Sequence, residues 1–152
     1  MVHDERRGRN QFPRLPGSYA LICQLEKTED IRVGRLGIFS FEPGHYIYVG
    51  SALGPGGLAG RLERHLDKDR QVSHWHIDYL TDIAMVKQVW YCQKDRRYEH
   101  DWAAHLSRKE DIQIPVPRFG ASDCRCPAHL FYFEAPVFPA VFEQPVIVVD
   151  LK

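Results

Sequence analysis

The sequence predicts an α+β fold: a single small antiparallel sheet of three to five strands, with helices packed against it. Short apolar runs bounded by glycine, proline and acidic residues indicate strands, and apolar residues at helical spacing indicate helices. With 152 residues the chain has the length of one domain.

The N-terminal half carries the first predicted strands. Residues 18–24 form an apolar run, and residues 31–36 and 45–49 form two more after turns at 26–30 and at Pro43-Gly44. Three strands separated by short turns are typical of an antiparallel meander, which we therefore expect here.

Helical spacing begins after Gly54-Pro55-Gly56-Gly57. The later elements are predicted as helices over residues 58–69, 76–84 and 98–108 and strands over residues 86–92 and 130–133. The chain is therefore predicted to divide into three segments. They are a flexible basic arm over 1–16, a folded domain over 17–134, and a proline-rich extension over 135–152 whose apolar end either adds an edge strand or covers another chain.

Composition narrows the function. Twenty basic residues balance twenty acidic ones, so nucleic-acid binding needs a local basic surface. The first residues lack the apolar run of a secretory signal, and no stretch approaches the ~20 apolar residues of a membrane span. We expect a cytoplasmic protein, with Cys23 and Cys92 as reduced thiols buried in strands.

Four residues could cut a phosphodiester bond. Tyr19 and Tyr48 lie in predicted strands, and Arg61 and His65 follow on the next helix. Their i, i+4 spacing places Arg61 and His65 on one helix face, where an arginine fork suits phosphate and a histidine can transfer protons. A tyrosine has a pKa near ~10 and would need cations nearby to act as a base.

The order Gly17-Ser18-Tyr19, Tyr48-Val49-Gly50, Arg61 and His65 resembles the GIY-YIG nucleases. The resemblance implies that Tyr48 activates water with help from Tyr19, that Arg61 clamps the phosphate, and that His65 assists proton transfer. It also implies that a glutamate on a later helix holds one Mg²⁺ or Mn²⁺. Glu99 is the best match for that glutamate, ahead of Glu110 and Glu63.

Longer strings narrow the resemblance to the DUF123 or Uri-type family. They are residues 33–37, 46–54, 74–80 and 119–126. The resemblance implies a predicted endonuclease acting on DNA, with a possible partner among endonuclease III-type repair enzymes. Arg64 and Arg35 are the further candidates for nucleic-acid contacts.

A second group of residues suggests a metal. His74, His76 and Asp78 lie close together in the chain, and Cys124, Cys126 and His129 form a later group. Thiolate and imidazole groups are zinc ligands, although neither segment has a standard zinc spacing. A structural zinc site, a hydrogen-bonded loop and a redox or catalytic cysteine are the three interpretations.

Two other functions stay open. The long interval from Tyr19 to Tyr48, and the presence of asparagine only at position 10, suit a non-catalytic nucleic-acid-binding module. The second is an interaction protein organised around zinc or a dimer, with the apolar tail as its interface.

Overall fold

The computed structural model describes residues 11–67, 69, 75–94, 97–121 and 124–151. Within these ranges the chain forms seven β-strands and three α-helices, which confirms the predicted α+β fold. The strands are β1 (Gly17–Leu25), β2 (Glu29–Arg32), β3 (Ile38–Phe41), β4 (Gly44–Ala52), β5 (Met85–Cys92), β6 (Leu130–Phe133) and β7 (Ile147–Asp150). The helices are α1 (Gly57–Leu66), α2 (His76–Thr81) and α3 (Glu99–Ser107), and Gly34–Leu36 and Pro139–Val141 form 3₁₀ turns.

The main sheet has five antiparallel strands in the order β6-β4-β1-β5-β7. In its centre, Tyr19 of β1 lies opposite Gly50 of β4 on one side and Tyr91 of β5 on the other. The outer strand β7 comes from the proline-rich extension and pairs with β5.

The predicted meander is wrong in its middle strand. Residues 31–36 divide between the end of β2 and the 3₁₀ turn, because Gly34 has a left-handed φ of 50° that interrupts an extended strand. β2 pairs with β3, which the sequence analysis did not predict, in a separate two-stranded sheet. This hairpin occupies the long interval between the two tyrosine motifs and leaves β1 and β4 directly paired.

The main sheet has a core on each face, because side chains alternate along a strand. Tyr19, Leu21 and Cys23 of β1 pack with α1, α2 and the β2–β3 hairpin, whereas Ala20 and Ile22 pack toward α3. Cys23 and Cys92 are buried free thiols, as predicted.

The residues before β1 pack onto α1. The Phe12 ring is buried and makes an edge contact with Tyr91, with ring centroids 6.2 Å apart. The carbonyl oxygens of Leu15 and Pro13 accept hydrogen bonds of 2.9 Å from the backbone N–H groups of Leu58 and Ala59 in the first turn of α1. The last part of the predicted arm is therefore docked on the domain, and residues 1–10 of that arm lie outside the described residues.

None of the helices in the described part of the chain combines the length and apolar character needed to cross a membrane.

Candidate active site

A cleft of about 360 Å³ opens where β1 begins and β4 ends. Four of the five residues predicted to take part in hydrolysis line it: Tyr19, Tyr48, Arg61 and Glu99. The other lining residues are Gly50, Ser51, Leu53, Gly54, Trp75, His76, Arg97, His100, Gly120, Cys124 and His129.

The fifth residue, His65, lies behind Tyr19. Its Nε2 atom is 2.6 Å from the Tyr19 hydroxyl, and both side chains are only 1% exposed. Arg61 and His65 share a face of α1, and both contact the Trp75 ring. Arg61 therefore lines the cleft, whereas His65 lies behind the lining and is hydrogen-bonded to the Tyr19 hydroxyl.

Gly50 makes room for this tyrosine. A Cβ atom added at Gly50 would lie 2.5 Å from the Tyr19 hydroxyl oxygen, closer than real Cβ atoms approach other heavy atoms. The glycine of Tyr48-Val49-Gly50 thus has a steric reason, since it lies opposite Tyr19 in the β1–β4 register.

The environment keeps both cleft tyrosines protonated at neutral pH. Burial raises the pKa of Tyr19 and the pKa of Tyr48 above the ordinary value, and the Glu99 carboxylate adds to the rise at Tyr48. Arg61 acts in the opposite direction on both groups, but its effect is smaller than that of burial. In the protein alone, burial therefore outweighs the effect of the Arg61 cation on the pKa of Tyr48.

Ser51 connects Arg61 to Glu99. The Arg61 Nη1 atom donates to the Ser51 carbonyl oxygen at 3.1 Å, and the Ser51 hydroxyl donates to Glu99 Oε1 at 2.6 Å. Glu99 is the first residue of α3, and the preceding Tyr98 N–H donates to the Ser18 hydroxyl at 2.8 Å. Two paired serines, Ser18 and Ser51, thus fix the start of α3 beside the cleft.

Arg97 and Ser51 were missed from the sequence. The Arg97 Nε atom lies 3.4 Å from Glu99 Oε1, and its side chain is about half exposed at the cleft. Ser51 directly follows the Tyr-Val-Gly motif, which is a signal that points to it in retrospect. Arg97 has no such signal, since it lies in a loop.

The two arginines proposed as nucleic-acid contacts lie away from the cleft lining. Arg64 makes a bidentate ion pair with the buried Asp78 carboxylate, at 3.1 and 3.2 Å, and stacks on Trp75. Its guanidinium therefore contributes to the packing of α1 on α2. Arg35 is exposed in the first 3₁₀ turn.

The less favoured glutamates also lie elsewhere. Glu63 pairs with Arg14 at 3.3 Å on the outer side of α1, and Glu110 is exposed after α3. Neither lines the cleft.

A group of four potential metal ligands lies at one end of the cleft. The donor atoms of His100, Cys124, Cys126 and His129 all lie within 4.8 Å of one another. Three of them belong to the cluster expected from the sequence. His100 was missed, because it lies on α3 and only the fold brings it to the cysteines.

His76 and Asp78, the other described members of the expected cluster, have different partners. The Nδ1 atom of His76 accepts a 2.8 Å hydrogen bond from the Gly120 N–H, and burial lowers the pKa of His76. Both Asp78 oxygens contact Arg64, and one also accepts from the Trp75 N–H at 3.1 Å. His74 lies outside the described residues.

The Cys126 thiol is not activated as a nucleophile. Burial and a hydrogen bond with Cys124 raise the pKa of Cys126 to about 11, so the free Cys126 thiol stays neutral at physiological pH. This argues against Cys126 as a redox or catalytic cysteine.

Comparison with known protein families gives a match. The family model described as "Domain of unknown function DUF123" matches residues 18–144, a range that contains every cleft-lining residue. No curated protein and no solved structure matches the chain.

Proposed function

We propose that this chain, which belongs to the DUF123 family, hydrolyses phosphodiester bonds in nucleic acid, with DNA as the substrate and Mg²⁺ or Mn²⁺ as the cofactor. One observation carries the proposal. Tyr19, Tyr48, Arg61 and Glu99 line a single open cleft, and His65 is hydrogen-bonded to Tyr19. The resemblance of the motifs to the GIY-YIG nucleases supports the same chemistry.

The residues fit one hard divalent cation at Glu99. Mg²⁺ is usually held by one or two carboxylates, with water and substrate phosphate completing its coordination, and Glu99 offers a carboxylate at an open cleft. When bound, the ion would neutralise charge on the phosphoryl group and the departing oxygen.

Arg61 would bind the scissile phosphate. Its guanidinium lies 4.5 Å from the Trp75 ring centroid and donates to the Ser51 carbonyl, so its position is fixed before substrate arrives. A positioned cation loses little side-chain entropy on binding, and its planar fork matches phosphate oxygens. Arg97 supplies a second positive charge at the same cleft.

The Tyr19–His65 pair would accept the proton of the attacking water. With the imidazole proton on Nδ1, the Tyr19 hydroxyl donates to Nε2. As water attacks phosphorus, the Tyr19 oxygen takes the water proton while its own proton passes to His65. This relay forms no free phenolate, which the raised pKa of Tyr19 would oppose.

Tyr48 takes a different role in this proposal from the one expected from the sequence. Its pKa is raised by burial, so its hydroxyl remains a hydrogen-bond donor. We propose that the Tyr48 hydroxyl donates a hydrogen bond to a phosphoryl oxygen. The hydrogen bond between Tyr19 and His65 favours Tyr19 as the residue that activates water.

A cytoplasmic location and a repair-enzyme partner belong to the same proposal. The first is supported by composition and the second by the family resemblance. A structural zinc ion would be bound by a different set of side chains, and no chemical step of this hydrolysis is assigned to it.

The test compares cleavage of single-stranded and duplex DNA with Mg²⁺ and with a chelator. Glu99→Ala should abolish the Mg²⁺-dependent cleavage seen with the wild-type protein, since it removes the carboxylate expected to hold the ion. Glu110→Ala is the matched control and should cleave normally, because Glu110 is exposed away from the cleft.

Full cleavage by Glu99→Ala would rule out this assignment. Mg²⁺-independent DNA binding with no cleavage on adding Mg²⁺ would instead support the non-catalytic module.

A further inference from the structure

We propose that His100, Cys124, Cys126 and His129 bind one zinc ion, which links the loop formed by residues 118–121 and 124–129 to the start of α3. Two thiolates and two imidazoles form a closed donor set of the kind found in structural zinc sites. Soft sulfur ligands also favour zinc over magnesium, so this site and Glu99 would select different metals.

The spacing of the donors suits a tetrahedral ion. Zinc bonds of about 2.0 to 2.3 Å place neighbouring donors roughly 3.3 to 3.8 Å apart. The Cys124 Sγ atom lies 3.4 Å from His129 Nε2, and all four donors are within 4.8 Å of one another. Side-chain rotations that move the remaining donor atoms by about 1 Å would bring them to bonding distance.

The loop backbone is already organised to present both cysteines. Arg118 adopts a left-handed φ of 70°, and its guanidinium donates to the carbonyl oxygens of Ala121, Cys124 and Cys126 at 2.5, 2.6 and 2.7 Å. The His129 N–H donates to the Phe119 carbonyl at 2.7 Å and closes the loop. An arrangement of this kind lowers the entropy lost when a metal orders its ligands.

Glu99 provides an outer partner for one ligand. Its Oε2 atom lies 3.3 Å from Nδ1 of His129, on the opposite side of the imidazole from the Nε2 atom that faces Cys124. Ligating histidines usually direct their second nitrogen toward a carboxylate, which fixes the ring orientation and tautomer. Within the described residues, His129 Nδ1 is buried without a hydrogen bond, and Glu99 is the carboxylate beside it.

Zinc would therefore order one wall of the cleft. Gly120, Cys124 and His129 line the cleft from this loop, and His100 lies beside Glu99 at the start of α3. The effect on DNA cleavage rests on the proposed function, but zinc binding itself does not.

The test is elemental analysis of the full chain purified without chelator. About one zinc per chain is expected, and the double variant Cys124→Ser, Cys126→Ser should retain less than roughly a tenth of it. His105→Ala and Cys92→Ala are controls that should keep the metal, because neither residue belongs to the cluster. Cobalt substituted for zinc should give thiolate-to-metal absorption that the double variant lacks.

Several results would overturn the proposal. These are a folded wild-type protein without zinc that takes up none when zinc is added, zinc retained in full by the double variant, iron in place of zinc, or a Cys124–Cys126 disulfide.

A second measurement uses only the wild-type protein and so does not depend on whether the double variant folds. Metal-free wild-type protein titrated with zinc should show a rise in Tm, and an unchanged Tm would contradict the site. Zinc bound at one per chain in a protein that cleaves no DNA would refute the proposed function and leave this inference standing.

Discussion

The two walls of the cleft are built in different ways. One wall comes from β1, β4 and α1 and carries Tyr19, Tyr48 and Arg61. The other comes from residues 118–121 and 124–129 and includes Cys124 and His129. Periodic backbone fixes the side chains of the first wall, which we call the regular wall, whereas contacts outside helices and strands fix those of the second, the loop wall. Under the two proposals, hydrolysis depends on the regular wall and zinc orders the loop wall.

Glu99 lies between the walls and contacts both. Its Oε1 atom accepts from Ser51 of β4, and its Oε2 atom lies beside His129 of the loop. A change at Glu99 therefore affects both walls, and variants confined to one wall are needed to separate them.

Tyr19→Phe should produce the largest effect confined to the regular wall. It removes the hydroxyl that links the cleft to His65, and loss of such a proton-transfer group costs about 10²- to 10⁴-fold in rate. Single-turnover DNA cleavage measures the loss. Tyr91→Phe, at the position paired with Tyr19 on β5, is the control and should keep the wild-type rate. Equal rates for the two variants would remove Tyr19 from the mechanism.

Gly50→Ala should destabilise the regular wall by a smaller amount. The added methyl group would overlap the Tyr19 hydroxyl, and overpacking of this kind costs about 1 to 3 kcal/mol. Urea unfolding measures the change. Gly54→Ala is the matched control, because a Cβ there meets no heavy atom within 4 Å. Equal stability of both variants would show that Tyr19 moves aside without cost.

Alkaline pH should weaken the regular wall by the smallest amount. The pKa of Tyr48 is raised in the folded state, so its contribution to stability is complete below the unfolded pKa of about 10 and is lost as pH rises above it. Between pH 9 and pH 11 this group should lower the free energy of unfolding by about 1.4 kcal/mol in total.

The matched measurement is urea unfolding from pH 9 to 11. Tyr48→Phe should show a shallower decline than the wild-type protein, and Tyr79→Phe, which changes a half-buried tyrosine outside the cleft lining, should follow the wild type. A decline of equal slope in the wild type and Tyr48→Phe would contradict the raised pKa.

Much of the fold was predictable because its elements are periodic. Residues 130–133 match β6, and the predicted helix over 98–108 contains α3. The β2–β3 hairpin was not predictable in this way. The strand over 31–36 was wrong because Gly34 breaks the run, and the partner β3 has little apolar alternation to mark it.

The candidate site divides along the same line. Tyr19, Tyr48 and Arg61, which the resemblance grouped together, all line the cleft, and they lie on strands and a helix that hold residues at fixed intervals. His100 joined the cysteines only through the fold, and His76 and Asp78 were bound to Gly120 and Arg64 instead. No spacing rule encodes contacts between a loop and a distant helix.

Cleavage of DNA by Arg61→Ala is the most direct test of phosphodiester hydrolysis in this cleft. If Arg61 binds the scissile phosphate, Mg²⁺-dependent cleavage should fall by about 10²- to 10³-fold while Tm and zinc content stay at wild-type values, because Arg61 lies on the regular wall alone. Arg35→Ala, at an exposed arginine away from the cleft lining, should cleave as the wild type does. If folded Arg61→Ala cleaves DNA at the wild-type rate, the proposed hydrolysis in this cleft is contradicted.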